Sequence, residues 1–286
     1  MGISFREVSH YYPTAKRKQL TVAIENIELN IEGKDEFVAL VGKTGSGKST
    51  LLSHMNALLL PSKGEVNIFD KRIVPNKKKN PKLKEVRKRV GFVFQFPEYQ
   101  LFEETVLKDI MFAGKNFGMS IEEAKEKAIK TAKLLNIDEK LLNKSPFNLS
   151  GGQMRKVAIA GILAYDPDII LLDEPTRGLD PKTADEIMDL FYEIHKNLHK
   201  TIVLISHDMN LVYKYASRVV VMNGGKITYD GDKVKLFSSP IYQENHLAKP
   251  DVLKLIDYLN SKLDLDLEYD CFKEEDLLKR MEQKYE

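Results

Sequence analysis

Eight consecutive residues, Gly42, Lys43, Thr44, Gly45, Ser46, Gly47, Lys48 and Ser49, fill the pattern G-x-x-x-x-G-K-[ST]. Glycines at these places let the backbone curl until its N–H groups converge on phosphate oxygens. A helix beginning at Lys48 would aim its positive end at the same point. Lys48 then reaches the β and γ phosphates of a nucleotide, Ser49 offers a hydroxyl to Mg²⁺, and Thr50 carries the binding loop into the helix. The rival reading is a glycine-rich turn that binds nothing. With average residue usage the pattern arises by chance in about one chain per hundred of this length, and its setting between an apolar strand and a helical stretch lowers those odds.

A second concentration of chemistry lies at Asp173 and Glu174, which follow the apolar run Ile169-Ile170-Leu171-Leu172. In open α/β sheets ligands bind at the carboxyl ends of the strands, where this pair emerges. If the backbone stays extended, the two carboxylates point to opposite sides and take different work. Asp173 is suited to hold Mg²⁺ through its water shell, and Glu174 to orient or deprotonate an attacking water.

The elements that must position these groups are legible as three buried strands, Phe37 to Val41, Ile169 to Leu172 and Ile202 to Ile205. Helical stretches at Lys48 to Leu60, Ser150 to Ala164 and Pro181 to Leu198 separate them, the pattern of a parallel sheet covered by helices. Ile3 to Val8 and Glu65 to Ile73 read as an antiparallel flank, and Ile121 to Leu142 as a mostly helical insertion. After Pro240 the pattern changes to amphipathic helices at Pro250 to Lys262 and Glu274 to Lys284, with an acidic stretch around Asp264 to Asp270 between them. The basic run Lys71 to Arg89 lacks interleaved aromatics, so base stacking is not expected; it reads as a solvated loop or as a contact for anionic lipid.

Composition limits the alternatives. A chain of 286 residues, 43% apolar, can bury a large α/β core, and a formal charge of only +2 argues neither for nucleic acid nor for an acidic substrate, so partners must be read from motifs. One cysteine, Cys271, excludes an internal disulfide and a cysteine-based zinc site, which fits a reducing compartment. The first residues lack a signal-peptide pattern and no run approaches the ~20 apolar residues of a bilayer span. The expectation is a protein that meets a membrane only through partners.

Leu149, Ser150, Gly151, Gly152 and Gln153 spell LSGGQ at the head of an amphipathic segment, where a serine and two glycines at a helix N-terminus can approach a phosphate closely. Together with the phosphate loop, this run makes the chain resemble the ATP-binding cassette (ABC) ATPases over roughly Ile3 to Asp232. The resemblance implies an α/β fold of the P-loop NTPase type. Its parts are a RecA-like parallel sheet, an antiparallel β flank, a helical signature subdomain at about 96–164 and, beyond a nucleotide-binding domain of 1–239, a C-terminal dimerisation extension at 240–286. It implies a head-to-tail pair of ATPase subunits, in which Ser150, Gly151, Gly152 and Gln153 of one close on the nucleotide in the other's phosphate loop. It also implies roles for single residues. Gln95 resembles the Q-loop glutamine that senses Mg²⁺ or the attacking water, and His207 the switch histidine at the γ-phosphate. Gly178-Leu179-Asp180 resembles the D-loop, although Asp180 reads equally as a helix cap before Pro181. Tyr12 resembles the aromatic that stacks on adenine, with Tyr11 an open rival. Arg177 departs from the family, where a small residue is commoner.

The stretch Phe96-Pro97-Glu98-Tyr99-Gln100-Leu101-Phe102, with Thr105-Val106 and Gln153 to Ala160, is similar to the energy-coupling factor (cobalt-type) importer ATPases, second paralogue type. That resemblance implies a cell-membrane translocase whose ATPase pair drives a transmembrane T component and a substrate-binding S component, taking up vitamins or transition-metal ions. Glu98 to Glu104 is expected to receive a coupling helix, with Leu101 and Phe102 as anchors and a carboxylate pairing with a basic residue. Exporter ATPases and non-transport ABC ATPases are the rivals; the latter tend to carry two cassettes or a long coiled coil, and this sequence carries neither. The solute, and homodimer against heterodimer, stay open at this stage.

Overall fold

The computed structural model describes residues 2–13, 20–263, 266–270, 277–279 and 281–282. In chain order its elements begin with strands β1 (Ile3–Pro13), β2 (Leu20–Ile31) and β3 (Phe37–Val41), helix α1 (Lys48–Met55), strands β4 (Lys63–Ile68) and β5 (Lys71–Ile73), helix α2 (Leu83–Arg89) and strand β6 (Val90–Val93). Helices α3 (Val106–Asn116), α4 (Ile121–Leu134) and α5 (Gly151–Leu163) follow, then β7 (Ile169–Asp173), α6 (Pro181–Leu198), β8 (Thr201–Ile205) and α7 (Met209–Tyr215). The hairpin β9 (Arg218–Asn223) and β10 (Lys226–Asp232) leads into α8 (Lys233–Phe237), α9 (Ile241–Glu244) and α10 (Asp251–Leu263).

Two sheets result. One is antiparallel in the order β2-β1-β4-β5; the other runs β10-β9-β3-β8-β7-β6, parallel throughout except for edge strand β10. The three apolar runs are central strands of the second sheet, as their lack of alternation requires of strands covered on both faces. Their side chains nevertheless divide by the pleat. Ala39, Val41, Ile170, Leu172, Ile202 and Leu204 join one core with residues of α3, α5 and α6, whereas Val38, Leu40, Ile169, Leu171, Val203 and Ile205 join another with α1 and the antiparallel sheet. The carboxyl ends of β3, β6, β7 and β8 therefore emerge side by side along one edge.

Local sequence sets the helix limits. Thr105, Ser120, Ser150 and Asp180 cap α3, α4, α5 and α6 by accepting the N–H of the third residue on. Helix α1 stops at Met55, five residues short of the predicted Leu60, because Ala57 turns left-handed (φ 55°) and the N–H groups of Leu58 and Leu59 both return to the Ser53 carbonyl. The predicted helix to Leu142 likewise ends at Leu134, where Asn136 takes φ 53°. Strand β2 and the β9–β10 hairpin were not expected from the sequence. Helix α10 matches the predicted Pro250 to Lys262 closely, and its Val252, Leu253 and Ile256 bury in the same core as Phe37 and Ile202. Cys271 and most of the predicted helix Glu274 to Lys284 lie outside the described residues, as does part of the acidic stretch before them.

Candidate active site

Between β3 and α1 the phosphate loop takes a conformation that only glycine tolerates at two points. Gly42 (φ 140°) and Gly47 (φ 101°) are left-handed, and a Cβ on either would stand 2.1 Å from the Met222 carbonyl oxygen or 2.5 Å from that of Ala23. Lys48 is buried and its Nζ donates to the carbonyls of Gly42 and Lys43, both at 2.8 Å. Burial lowers its pKa, opposed by the charges of Glu174 and Asp173, so all three groups share one field. Lys43, Thr44 and Gly45 form the exposed outer curve, and Ser46 is tied in by its N–H to Lys43 and its carbonyl to the Gly225 N–H.

At the end of β7 the two carboxylates separate, though not through the pleat. Glu174 leaves the strand with φ 49°, so the expected extended geometry gives way to a left-handed turn, fixed by its N–H to the Ile205 carbonyl. Asp173 faces the phosphate loop, its Oδ1 accepting from the Ser49 hydroxyl at 3.4 Å. Burial pushes the Asp173 carboxyl up from its ordinary value, and the Ser49 hydrogen bond opposes this. Glu174 turns instead towards three polar side chains: Gln95 Nε2 donates at 3.1 Å and Arg177 Nη1 at 2.8 Å to Oε2, and His207 Nε2 lies 3.0 Å from Oε1. Strands β6, β7 and β8 thus bring together three predicted residues 112 positions apart at the extremes, from Gln95 to His207.

Gln95 is aimed by a sharp reversal. Phe96 follows it with φ 55°, rare for an aromatic, and its ring lies 5.7 Å from the Arg155 guanidinium. Tyr12 and Tyr11 part company on β1. Tyr12 is 40% exposed and its hydroxyl sits 3.4 Å from Thr50 Oγ1 on α1; its ring meets His10 edge-on at 4.7 Å, which in turn meets His54 at 4.9 Å. Burial lowers the His54 pKa to about 4, so this supporting ring is neutral. The Tyr11 ring lies under Lys63 instead, and its N–H donates to Ser62 Oγ.

Ser150 and Gln153 form a reciprocal capping box at the start of α5: Ser150 Oγ accepts the Gln153 N–H, and Gln153 Oε1 the Ser150 N–H. Among the described residues no hydrogen bond joins this helix end to the phosphate loop. A Cβ on Gly151 or Gly152 would meet nothing within 4 Å, so neither packing nor a positive φ within the chain explains glycine here. Asp180 caps α6 through the Thr183 N–H at 3.0 Å.

The ABC transporter family pattern matches residues 24–177, more than half the chain. The chain is an ABC ATPase. Within the family it belongs with the energy-coupling factor transporter ATP-binding proteins. It is 49% identical to the protein of that name, EcfA2, from Ligilactobacillus salivarius over 86% of this chain and 84% of the relative. To the EcfA2 of Listeria monocytogenes it is 43% identical over 98% and 97%. Among solved structures, cbiO1 from Clostridium perfringens, described as part of the ABC transporter complex cbiONQ, superposes with TM-score 0.73 at 32% identity, over 92% of this chain and 95% of that one. The ATP-binding cassette MJ0796, solved as a dimer in a post-hydrolysis state with ADP and Pi, gives 0.70 at 32% identity over 80% and 98%.

The geometry of this ABC ATPase narrows the coupling-helix expectation, leaving Phe102 exposed but not Glu98. Glu98 is not free to meet an incoming helix: Arg155 of α5 grips both its oxygens, at 2.9 and 2.7 Å, with the two side chains only 3% and 12% exposed. Arg155 also donates to the carbonyls of Pro175 and Arg177 at 3.3 and 3.0 Å. Leu101 is buried too, and Glu104 is paired with Lys108. What this segment exposes is aromatic: Tyr99 (84%) and Phe102 (56%), the latter edge-on to Phe112 of α3 at 4.7 Å. Sequence reasoning missed the Arg155 hub because its partners lie 57, 20 and 22 residues away. The basic run is also partly neutralised, Lys71 by Asp70 and Glu85, Arg89 by Asp168.

Proposed function

We propose that this ABC ATPase is the ATP-hydrolysing subunit of an energy-coupling factor importer, working as a head-to-tail pair with a paralogue or a second copy. The observation that carries the pairing is the bare helix end at Ser150–Gln153. Two adjacent glycines in a helix cost about 1 kcal/mol each relative to alanine, and the chain itself makes no use of them. Close approach by a nucleotide in a partner's phosphate loop would use both. Residues 1–239 then form the nucleotide-binding domain, with the helical subdomain at about 96–164, and 240–286 an accessory extension. Asp180, on the outward D-loop, would face the partner's site.

In this reading Gly42 to Thr50 hold the triphosphate, and Lys48 exchanges its loop carbonyls for phosphate oxygens. Ser49 and Asp173, 3.4 Å apart, with the amide oxygen of Gln95, make a hard-oxygen set that fits Mg²⁺ with waters and phosphate filling the rest; the raised Asp173 carboxyl is the sort of buried acid a cation relieves. When bound, the ion neutralises charge on the transferring phosphoryl group. Glu174 accepts a proton from water as the water oxygen bonds the γ-phosphorus; the bond to the bridging oxygen breaks, and ADP and phosphate leave. Gln95 and His207 hold Glu174 and the water in line.

Tyr12 rather than Tyr11 is read as the adenine platform. Base stacking on an aromatic is worth about 1–3 kcal/mol, so Tyr12→Ala should raise the Kd for ATP by about 5- to 150-fold, and Tyr11→Ala should leave it within twofold. Equilibrium binding of a fluorescent ATP analogue reads both; the opposite order would assign the platform to Tyr11.

The transmembrane T component, which holds this subunit at the cytoplasmic face of the cell membrane, would dock on Tyr99, Phe102 and Phe112. Exposed aromatics of this kind anchor helices in grooves. Replacing Tyr99 and Phe102 by Ser together should cut recovery of the subunit with the membrane fraction at least about 10-fold, while ATP binding by the purified subunit stays within twofold. Undiminished membrane recovery would refute the docking surface. The S component and its vitamin or metal-ion solute follow from the family alone, since this subunit would not touch the solute. Among the described residues no helix is long and apolar enough to cross a membrane.

A further inference from the structure

The structure assigns Arg177 a task at this same site: a side-chain latch on Glu174 that delays hydrolysis until dimer closure offers its guanidinium another anion. The inference rests on Glu174 being the group that receives the water's proton. Each carboxylate oxygen has about two acceptor positions. On Oε2 both are taken, by Gln95 and Arg177, while Oε1 has His207 Nε2 3.0 Å away. A water can approach Oε1 beside His207, but one that is to be received by Oε2 must displace Gln95 or Arg177. Arg177 makes the shortest of the three contacts and carries a permanent charge, so its hydrogen bond is the strongest and its loss matters most.

The surrounding backbone makes Arg177 the donor able to leave. Its N–H returns to the Glu174 carbonyl at 3.2 Å, and its own carbonyl is gripped by Arg155 at 3.0 Å, so the turn from Glu174 to Arg177 is fixed at both ends. The side chain, by contrast, is 58% exposed, whereas that of Glu174 is 16% exposed. Gly178 follows with φ 76° and starts the D-loop that, in the proposed pairing, faces the other subunit. A guanidinium there is suited to phosphate, which it binds in a forked, planar geometry. Closure brings phosphate and partner to this edge, Arg177 swings to the new anion, and Oε2 is freed for water. The residue acts through Glu174, as a positioning residue.

The test uses the complete transporter in detergent or nanodiscs, with and without transport substrate, carrying Arg177→Ala, Arg177→Lys or Glu174→Gln. An exposed ion pair sets the scale at about 2- to 5-fold. Arg177→Ala should raise kcat for ATP in the absence of transport substrate by that factor, with KM within twofold, and should raise the ATP consumed per solute moved. Arg177→Lys should fall between alanine and the parent. A kcat that is unchanged or lowered in Arg177→Ala, with Glu174→Gln inactive, overturns the latch alone. Undiminished turnover in Glu174→Gln would remove the assignment of Glu174 and the latch with it.

Discussion

Replacing Glu174 by Gln is expected to lower ATP turnover by about 10²- to 10⁴-fold, the usual contribution of a positioned general base, while ATP binding stays within a few-fold of the parent. The substitution changes charge and almost nothing of size. Lys48, Ser49 and Asp173, which would hold the triphosphate and its cation, make no hydrogen bond to the Glu174 side chain, so the binding half of the site is left standing. What is lost is acceptor capacity. Glu174 accepts from Gln95 and Arg177 on Oε2 and faces His207 Nε2 at 3.0 Å with Oε1, and an amide can offer only one acceptor oxygen to them. Its NH₂ would face a donor on the other side, so the carboxamide sits poorly and takes no proton from water.

Binding without turnover has a second consequence. If ATP closes the subunit pair and hydrolysis reopens it, the Glu174→Gln variant should accumulate as an ATP-loaded dimer. Size-exclusion chromatography with light scattering, run in ATP and then in ADP, reads this directly, alongside phosphate release. A dimer that persists only in ATP is the expected result. Turnover at the parent rate would dismiss Glu174 as the base, whatever the oligomeric state.

The sequence carried the phosphate loop, the strand ends and the LSGGQ helix because each is a local pattern: glycines demanded by backbone angles, apolar runs demanded by burial on two faces, a cap demanded by orphan N–H groups. It also placed Glu174 at a strand end, and the parallel sheet then brings Gln95 and His207, just past β6 and β8, to its side. Other features were illegible for physical reasons. The pleat argument gave Asp173 and Glu174 opposite faces, yet the strand ends at Asp173 and a left-handed residue does the separating. Tyr11 and Tyr12 could not be ranked without the bulges that set the β1 register near His10. Glu98 looked like a surface acid in an apolar setting; only the tertiary fold reveals that Arg155 takes both its oxygens. Strand β2 alternates buried and exposed residues only from Ile27 to Ile31, and the stretch joining it to β1 gives no turn signal of the Asn-Gly kind.

Breaking that buried pair is expected to be the most destabilising single polar change in the chain, about 3–5 kcal/mol for Arg155→Met or Glu98→Gln. Removing either partner strands the other where water scarcely reaches, the side chains being 3% and 12% exposed. Arg155→Met also leaves the Pro175 and Arg177 carbonyls without their donor, so the Q-loop segment, α5 and the D-loop approach lose their common tie. The double change Arg155→Met with Glu98→Leu should recover part of the loss, since two apolar groups bury without stranding a charge. Acid titrates the same link. Burial pushes the Glu98 carboxyl up, but the Arg155 hydrogen bonds and charge outweigh it and hold the net pKa below the ordinary 4.5. A carboxyl whose folded pKa is depressed contributes stability that is fully present above its unfolded value and is lost as pH falls through the folded one. Thermal stability of the parent should therefore weaken below about pH 4.5, and the Glu98→Leu, Arg155→Met protein should lack that component of the acid slope. Equal acid slopes in the two proteins would show that the pair adds nothing to folding, and that Glu98 is held in place by packing alone.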